Sequence, residues 1–277
     1  MKRRQLLLAV PAGAVAAAAV AKTRVVRFVR PPDRLAGERW YPFRLLQAAL
    51  EASGERWEIQ TREWLTQRRA ERELVDPRGV IDVYAMGGSL ERERRLQLLP
   101  LPLYRGLFGW RLLLVRPDRV DALRGVSDLQ ALRGLRLIQG EDWPDTPILR
   151  GSGLQVLGGG TQLHRLHEAL QQGHADAFPR AVPEAWNEMD ADAQRLAVLP
   201  GLALHYRYDV CFYCRRGDQI IAPALWRGLQ ALQRSGRFES LLLEHHGGSL
   251  ARSALAERQV IKLPNPWLPL ALRRLPT

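Results

Sequence analysis

Lysine is nearly missing from this 277-residue chain: beyond Lys2 it occurs only at Lys22 and Lys262, so the formal net charge of +12 is almost entirely arginine. No tract gathers that charge. The arginines are spread along the chain, which argues against a nucleic-acid partner and leaves only a weak preference for acidic ligands. Cysteine is scarce too, with Cys211 and Cys214 in "DVCFYC". A CxxC pair invites a redox or metal reading, but "ALHYRYDVCFYC" alternates with period two. The two sulfurs then point to opposite faces of a strand about 10 Å apart, too far to bridge. They read as buried thiols. There is no internal repeat or low-complexity tract, and no nucleophile elbow or hydrolase triad. "GGG" at 158–160 lacks the G-x-G-x-x-G spacing of a nucleotide loop. His164 and His167 lie three apart on a helix, but no third metal ligand is placed, so no metal or cofactor is expected.

What is present is ordinary for a folded protein: 46% hydrophobic and 25% charged residues. The chain opens "MKRRQLLLAVPAGAVAAAAVAKT", with Lys2, Arg3 and Arg4, an apolar run from Leu6 to Val20, and the small-residue site Ala19-Val20-Ala21. Residues 1–21 are therefore expected to be a cleaved export signal, which implies a periplasmic location. Adjacent arginines before "QLLL" and an Ala/Gly-rich run point to the twin-arginine route, with Sec export or an uncleaved anchor as the other readings. No cysteine follows the run, so a lipid anchor is not expected. Without Lys2, Arg3 and Arg4 the charge falls from +12 to +9.

Downstream, strand and helix patterns alternate. "TRVVRFVR", "RWEIQTREW" and "GVIDVYAM" read as strands, the last apolar enough to be covered on both faces. "RWYPFRLLQAALEASG" reads as a helix with Leu45, Leu46, Ala49 and Leu50 inward, and "TQRRAERELVD" as a charged one. After the crossing strand "FGWRLLLV" a second run follows. Ser127 is expected to cap "DLQALRG", Asp145 or Thr146 to cap "PILRGSG", and Thr161 to open "QLHRLHEALQQG". A long strand is expected from Ala203, then the amphipathic helix "IIAPALWRGLQALQRSG", with His245 and His246 at an exposed helix end. The order predicts an α/β protein of two lobes, the middle block inserted into the first. The expected division is 22–115 and 205–277 for lobe 1, with the tail, and 116–204 for lobe 2.

"IDVYAMGGSLERERRLQLLPLPLYRGLFGWRLLLV", "SDLQALRGLRLIQG", "LHEALQQGHADAF" and "LWRGLQALQRSGRFESLL" occur in that order, and together they resemble type 2 periplasmic solute-binding proteins of family 3. The resemblance covers roughly residues 24–245 and extends to a branch of that family carrying "WPDT", "FPR" and "NPxLP", here Trp143–Thr146, Phe178–Arg180 and Asn265–Pro269. It implies the periplasmic-binding-protein-like II fold, two lobes joined by two hinge strands that close on a ligand.

The resemblance places Ser89 and Arg92 on the family's Ser/Thr-x-x-Arg turn, whose arginine grips a ligand carboxylate; Arg92 could instead be a solvated residue of "ERERR". Tyr84, on the strand before, joins the candidate set. Amino-acid binders carry an aspartate shortly after the "DA" strand, where this chain has Arg180 and Ala181. Arg92 with Arg180 would suit an acidic solute, unless Arg180 pairs with Glu184. In "GEDWPDTPILRGSG", Asp145 and Thr146 start a helix beyond a strand end, and Trp143 offers an apolar wall or plugs core. The expected function is capture of a small, anionic solute for a membrane transporter or sensor. The alternatives are a dehydratase-like enzyme using Glu141, Asp142 or Asp145, and a degenerate lobe pair that docks a protein through "NPWLPLAL".

Overall fold

The computed structural model describes residues 23–30, 40–192 and 194–275, and the expected export signal lies outside them. The first run of elements is β1 (Arg24–Val29), α1 (Tyr41–Ala52), β2 (Trp57–Arg62), α2 (Gln67–Val75), β3 (Val83–Gly87), α3 (Leu90–Arg95) and β4 (Leu96–Leu98). The second is β5 (Trp110–Val115), α4 (Val120–Leu123), α5 (Leu129–Arg133), β6 (Arg136–Gln139), α6 (Thr146–Gly151), β7 (Gln155–Gly158), α7 (Leu163–Gln171), β8 (Phe178–Ala181), α8 (Val182–Ala191) and β9 (Ala197–Val198). Then come β10 (Leu202–His205), β11 (Val210–Arg215), α9 (Ile221–Arg234), α10 (Arg237–Ser253), β12 (Gln259–Lys262) and α11 (Leu270–Arg273).

Both lobes are wound the same way. In the first, β1 and β2 are parallel, and β11 lies antiparallel between β3 and β4. Asp82 seats β3 beside β1, donating its N–H to the Arg27 carbonyl (2.9 Å) and accepting from the Arg27 N–H (2.8 Å). The order is β2-β1-β3-β11-β4. In the second, β6 and β7 are parallel, Leu137 bridges to Ala177 just ahead of β8, and β5 runs antiparallel to β8 and β9. The order is β7-β6-β8-β5-β9. The antiparallel strand of each sheet arrives from the other lobe, so the chain crosses twice. On β5, Leu112 and Leu114 join one buried cluster while Leu113 and Val115 join the other, as the period of a strand covered on both faces requires.

β5 pairs with β8, β9 and β10. The long strand expected from Ala203 is two strands: between His205 and Val210 the chain leaves one sheet for the other, and neither ladder can hold Tyr206–Asp209. Asp128, not Ser127, caps α5, accepting from the Ala131 N–H at 2.8 Å, and Gln162 rather than Thr161 precedes α7. His245 and His246 stand inside α10, not at its end. The His246 ring packs against Tyr41 and Tyr104 at 5.2 and 5.3 Å, and burial lowers its pKa to about 4. Cys211 and Cys214 are free and buried. No helix among the described residues is long and apolar enough to cross a membrane.

The two crossing chains are hydrogen-bonded to each other. Leu103 donates to the Val210 carbonyl (2.9 Å) and Tyr206 to the Gly109 carbonyl (3.1 Å). At Gly109 they come so close that a Cβ would collide with the Tyr206 carbonyl oxygen, which neither backbone can avoid without moving. Gly109→Ala is therefore expected to cost about 1–3 kcal/mol of stability, an overpacking penalty read from urea unfolding midpoints.

Candidate functional site

An arginine in the middle of "WRLLLV" must find partners, because an unpaired charge in an apolar strand is not tolerated. Arg111, 2% exposed, lies at the inner end of β5. Its Nη2 is 3.0 Å from Asp145 Oδ2 and its Nη1 3.7 Å from Glu184 Oε2. The guanidinium also faces the rings of Tyr208 (5.1 Å), Tyr206 (5.4 Å) and Phe108 (5.9 Å), all from the crossing segments. Asp145 Oδ2 further accepts from Gln139 Nε2 (2.7 Å) and Tyr206 Oη (2.9 Å). Among the described residues, Arg111 Nε and Gln139 Oε1 are buried without a hydrogen-bond partner.

This corrects the expectation for the start of α6. Asp145 stands at the N-cap position, but its side chain makes no capping hydrogen bond and turns inward to Arg111. Thr146 does not cap it either, since its hydroxyl donates to the Gly140 carbonyl (2.6 Å). The indole of Trp143 folds back over Gly140 and stacks on Phe178 at 6.1 Å.

Arg180 on β8 is not an open guanidinium. It donates through Nε to Glu188 Oε1 (2.8 Å) and lies 2.9 Å from Glu184 Oε1, with the rings of Trp143 and Phe178 each 4.9 Å away. Glu188 also meets His167 Nε2 at 2.8 Å. Burial would raise the Glu188 carboxyl, but Arg180 and His167 outweigh it and hold its pKa below the usual value. Glu184 and Glu188, one turn apart on α8, thus neutralise Arg180 within its own lobe. Arg92 and Arg180 are not brought onto a common partner.

On the first lobe, Ser89 caps α3, accepting the Arg92 N–H at 3.2 Å. The Arg92 side chain is buried rather than solvated. Nη1 donates to the Gly87 carbonyl and to Gln67 Oε1, both at 2.7 Å, and Nε lies 3.4 Å from Glu71 Oε2. Nη2 has no hydrogen-bond partner among the described residues. Tyr84 is buried, its hydroxyl donating to the Leu65 carbonyl (2.7 Å). Beyond it runs an aromatic wall: Trp64 to Tyr84 at 6.2 Å, Trp40 to Trp64 at 5.5 Å and Phe28 to Trp40 at 5.8 Å, with Trp64 42% exposed. Burial pushes the Tyr84 phenol above its ordinary pKa, against the pull of Arg92.

Arg111, Tyr206, Tyr208 and Glu188 were not among the sequence candidates. Arg111 had a signal, a lone charge in an apolar strand, and Glu184 with Glu188 show i, i+4 spacing. Nothing local marks the tyrosines, since they look like ordinary inward strand residues.

No family model and no curated protein matches the chain, but solved structures do. The Bordetella pertussis BvgS VFT2 domain (a double mutant) superposes with a TM-score of 0.61 at 17% identity, over 80% of this chain and 93% of that one. An amino acid ABC transporter substrate-binding protein from Streptococcus pneumoniae Canada MDR_19A, bound to L-arginine, gives 0.59 at 17%, over 81% and 94%. The GluR0 ligand-binding core from Nostoc punctiforme, with L-glutamate, gives 0.57 at 16%, over 80% and 98%. This is the two-lobed type 2 periplasmic-binding-protein fold. The double crossing and the matched strand orders are its framework.

Two measurements probe this interior. Asp145→Leu leaves the Arg111 charge buried and unbalanced and is expected to cost about 3–5 kcal/mol, whereas adding Arg111→Met should recover most of it, by urea unfolding. Asp209, beside Tyr208, is 6% exposed. Burial lifts its carboxyl to about 6 against the weaker pull of Arg207. A folded pKa above the unfolded value means the charged form is disfavoured in the fold, so stability is lost as pH rises through about 6. Asp209→Asn should gain on the order of 2–3 kcal/mol at about pH 8 relative to about pH 4, as unfolding midpoints at the two pH values would show.

Proposed function

We propose that this chain is an exported solute-binding protein that traps a small organic solute between its lobes and presents it to a membrane transporter or sensor. The observation that carries the reading is the β3–α3 turn. Arg92 is held by Gly87, Gln67 and Glu71 with one N–H edge unspent, next to an aromatic wall with Trp64 exposed. A fixed guanidinium edge beside a flat apolar surface suits a solute with one carboxylate and an apolar or planar body. The similar structures include transporter-associated binding proteins and a histidine kinase sensor domain with similarity to periplasmic binding proteins, which supports both fates for the solute.

The acidic character of the ligand rests on Arg92 alone. Arg180 cannot add a second anionic contact without giving up Glu184 and Glu188. One carboxylate is accordingly the reading, rather than a dicarboxylate. Periplasmic residence follows from the export signal read in residues 1–21, and a non-catalytic role from the binding character of the similar structures. A second reading, a lobe pair that has lost its solute and meets a protein, is favoured by one fact: Arg111 and Arg180 are already neutralised internally.

Mass spectrometry of small molecules released from protein purified without refolding should identify a monocarboxylate. Added at about a hundred times its dissociation constant, that compound should raise the melting temperature by about 5–10 °C. Arg92→Lys keeps the charge but loses the planar fork, and the shift should largely vanish. No released compound and no shift across a panel of monocarboxylates would sink the proposal and favour the second reading.

A further inference from the structure

Three prolines, Pro264, Pro266 and Pro269, break up "KLPNPWLPLALR" and leave it little chance of a regular ladder of its own. Its backbone groups must find partners elsewhere, and they find them on three different parts of the molecule. At the hinge, Leu263 donates to the His205 carbonyl (2.8 Å) and Asn265 Nδ2 to the Arg207 carbonyl (2.8 Å). On the first lobe, the Trp267 carbonyl accepts from the Leu90 N–H (3.1 Å), between Ser89 and Arg92. The Glu93 carboxylate then caps α11, accepting from Leu270 N–H (2.7 Å) and Ala271 N–H (2.8 Å). Pro269 and Leu272 close over Gly88, 3.0 and 3.2 Å from where its Cβ would stand. The Arg207 guanidinium seals the far end of α11 on the Leu272 and Leu275 carbonyls. On the second lobe, the Trp267 ring lies 2.8 Å from the Cβ position of Gly151, at the end of α6.

From this three-way attachment we propose that residues 263–275 form an internal clasp that limits how far the lobes part. The attachments are unequal. Leu268 and Leu272 are buried at 4% and 0% exposure, so the first-lobe anchor is lasting, while Trp267, 37% exposed, touches the second lobe through one edge of its ring. Rotation about the crossing segments would break the Trp267–Gly151 contact while leaving the anchor on the Ser89–Arg92 turn. The clasp thus regulates access to the site proposed above and rests on that reading for its purpose, though not for its geometry. Leu263, Leu268 and Leu272 of this strip are buried in the chain itself, while Leu270 is 55% exposed.

Spin labels on Thr61→Cys in β2 and His164→Cys in α7, both exposed positions, report the lobe separation, since the native cysteines are buried. Without any added ligand, the otherwise unaltered chain should give one narrow distance distribution. Trp267→Ala should add a longer population of about one molecule in ten or more. Glu93→Gln keeps every apolar anchor but weakens the cap on α11, and should give the same longer population in smaller amount. Distributions identical to the unaltered chain's in both variants, with far-UV circular dichroism unchanged, would overturn the clasp. The distances are taken on protein unfolded in urea and refolded to strip any retained solute, so failure to find a ligand for the cleft does not bear on this outcome.

Discussion

One buried positive charge organises the centre of this protein. Arg111 sits where the chain first enters the second lobe, and it is 2% exposed. Its environment therefore has to be built from carboxylates and ring faces drawn from distant parts of the sequence. Asp145 comes from the turn after β6, Glu184 from α8, and the tyrosines from the return crossing. Such a pair adds little net stability over a well-packed apolar core, because desolvation consumes most of the attraction. Its effect is on arrangement: the outgoing and returning crossings and the start of α6 are held in one register, since any slip would strand a charge.

The same accounting of charge runs through the rest of the interior. The chain is rich in arginine, yet the guanidiniums deepest in it are matched internally. Arg180 has Glu184 and Glu188, Arg111 has Asp145 and Glu184, and Arg92 has Glu71 on one edge. Net charge is accordingly a poor guide to ligand charge here.

Two hydrogen-bonded crossings join the lobes, with a close approach at Gly109. The segment after β12 adds a third connection on one side, anchored firmly to the first lobe and lightly to the second.

The alternation of strand and helix, the inward faces of α1 and α9, the buried thiols and the two-lobed plan could all be read from the chain, because they follow from residue periodicity and turn chemistry, which act over short distances. Ser89 and Arg92 drew notice only through the resemblance to a family, and the cap that Ser89 makes on α3 came from the structure. What residue order could not decide was pairing. Asp145 beside Pro147 has the look of a helix cap, and only the tertiary fold, by bringing Arg111 within 3.0 Å, turned it inward. Arg180 could have faced a ligand or its own helix, and α8 settled it by presenting two glutamates. The break in the long strand at Tyr206 likewise arises because the chain changes sheets there, an event with no local signature. Local preferences name the elements; which charge meets which depends on closure of the whole, since a buried ion must take whatever partner three dimensions provide.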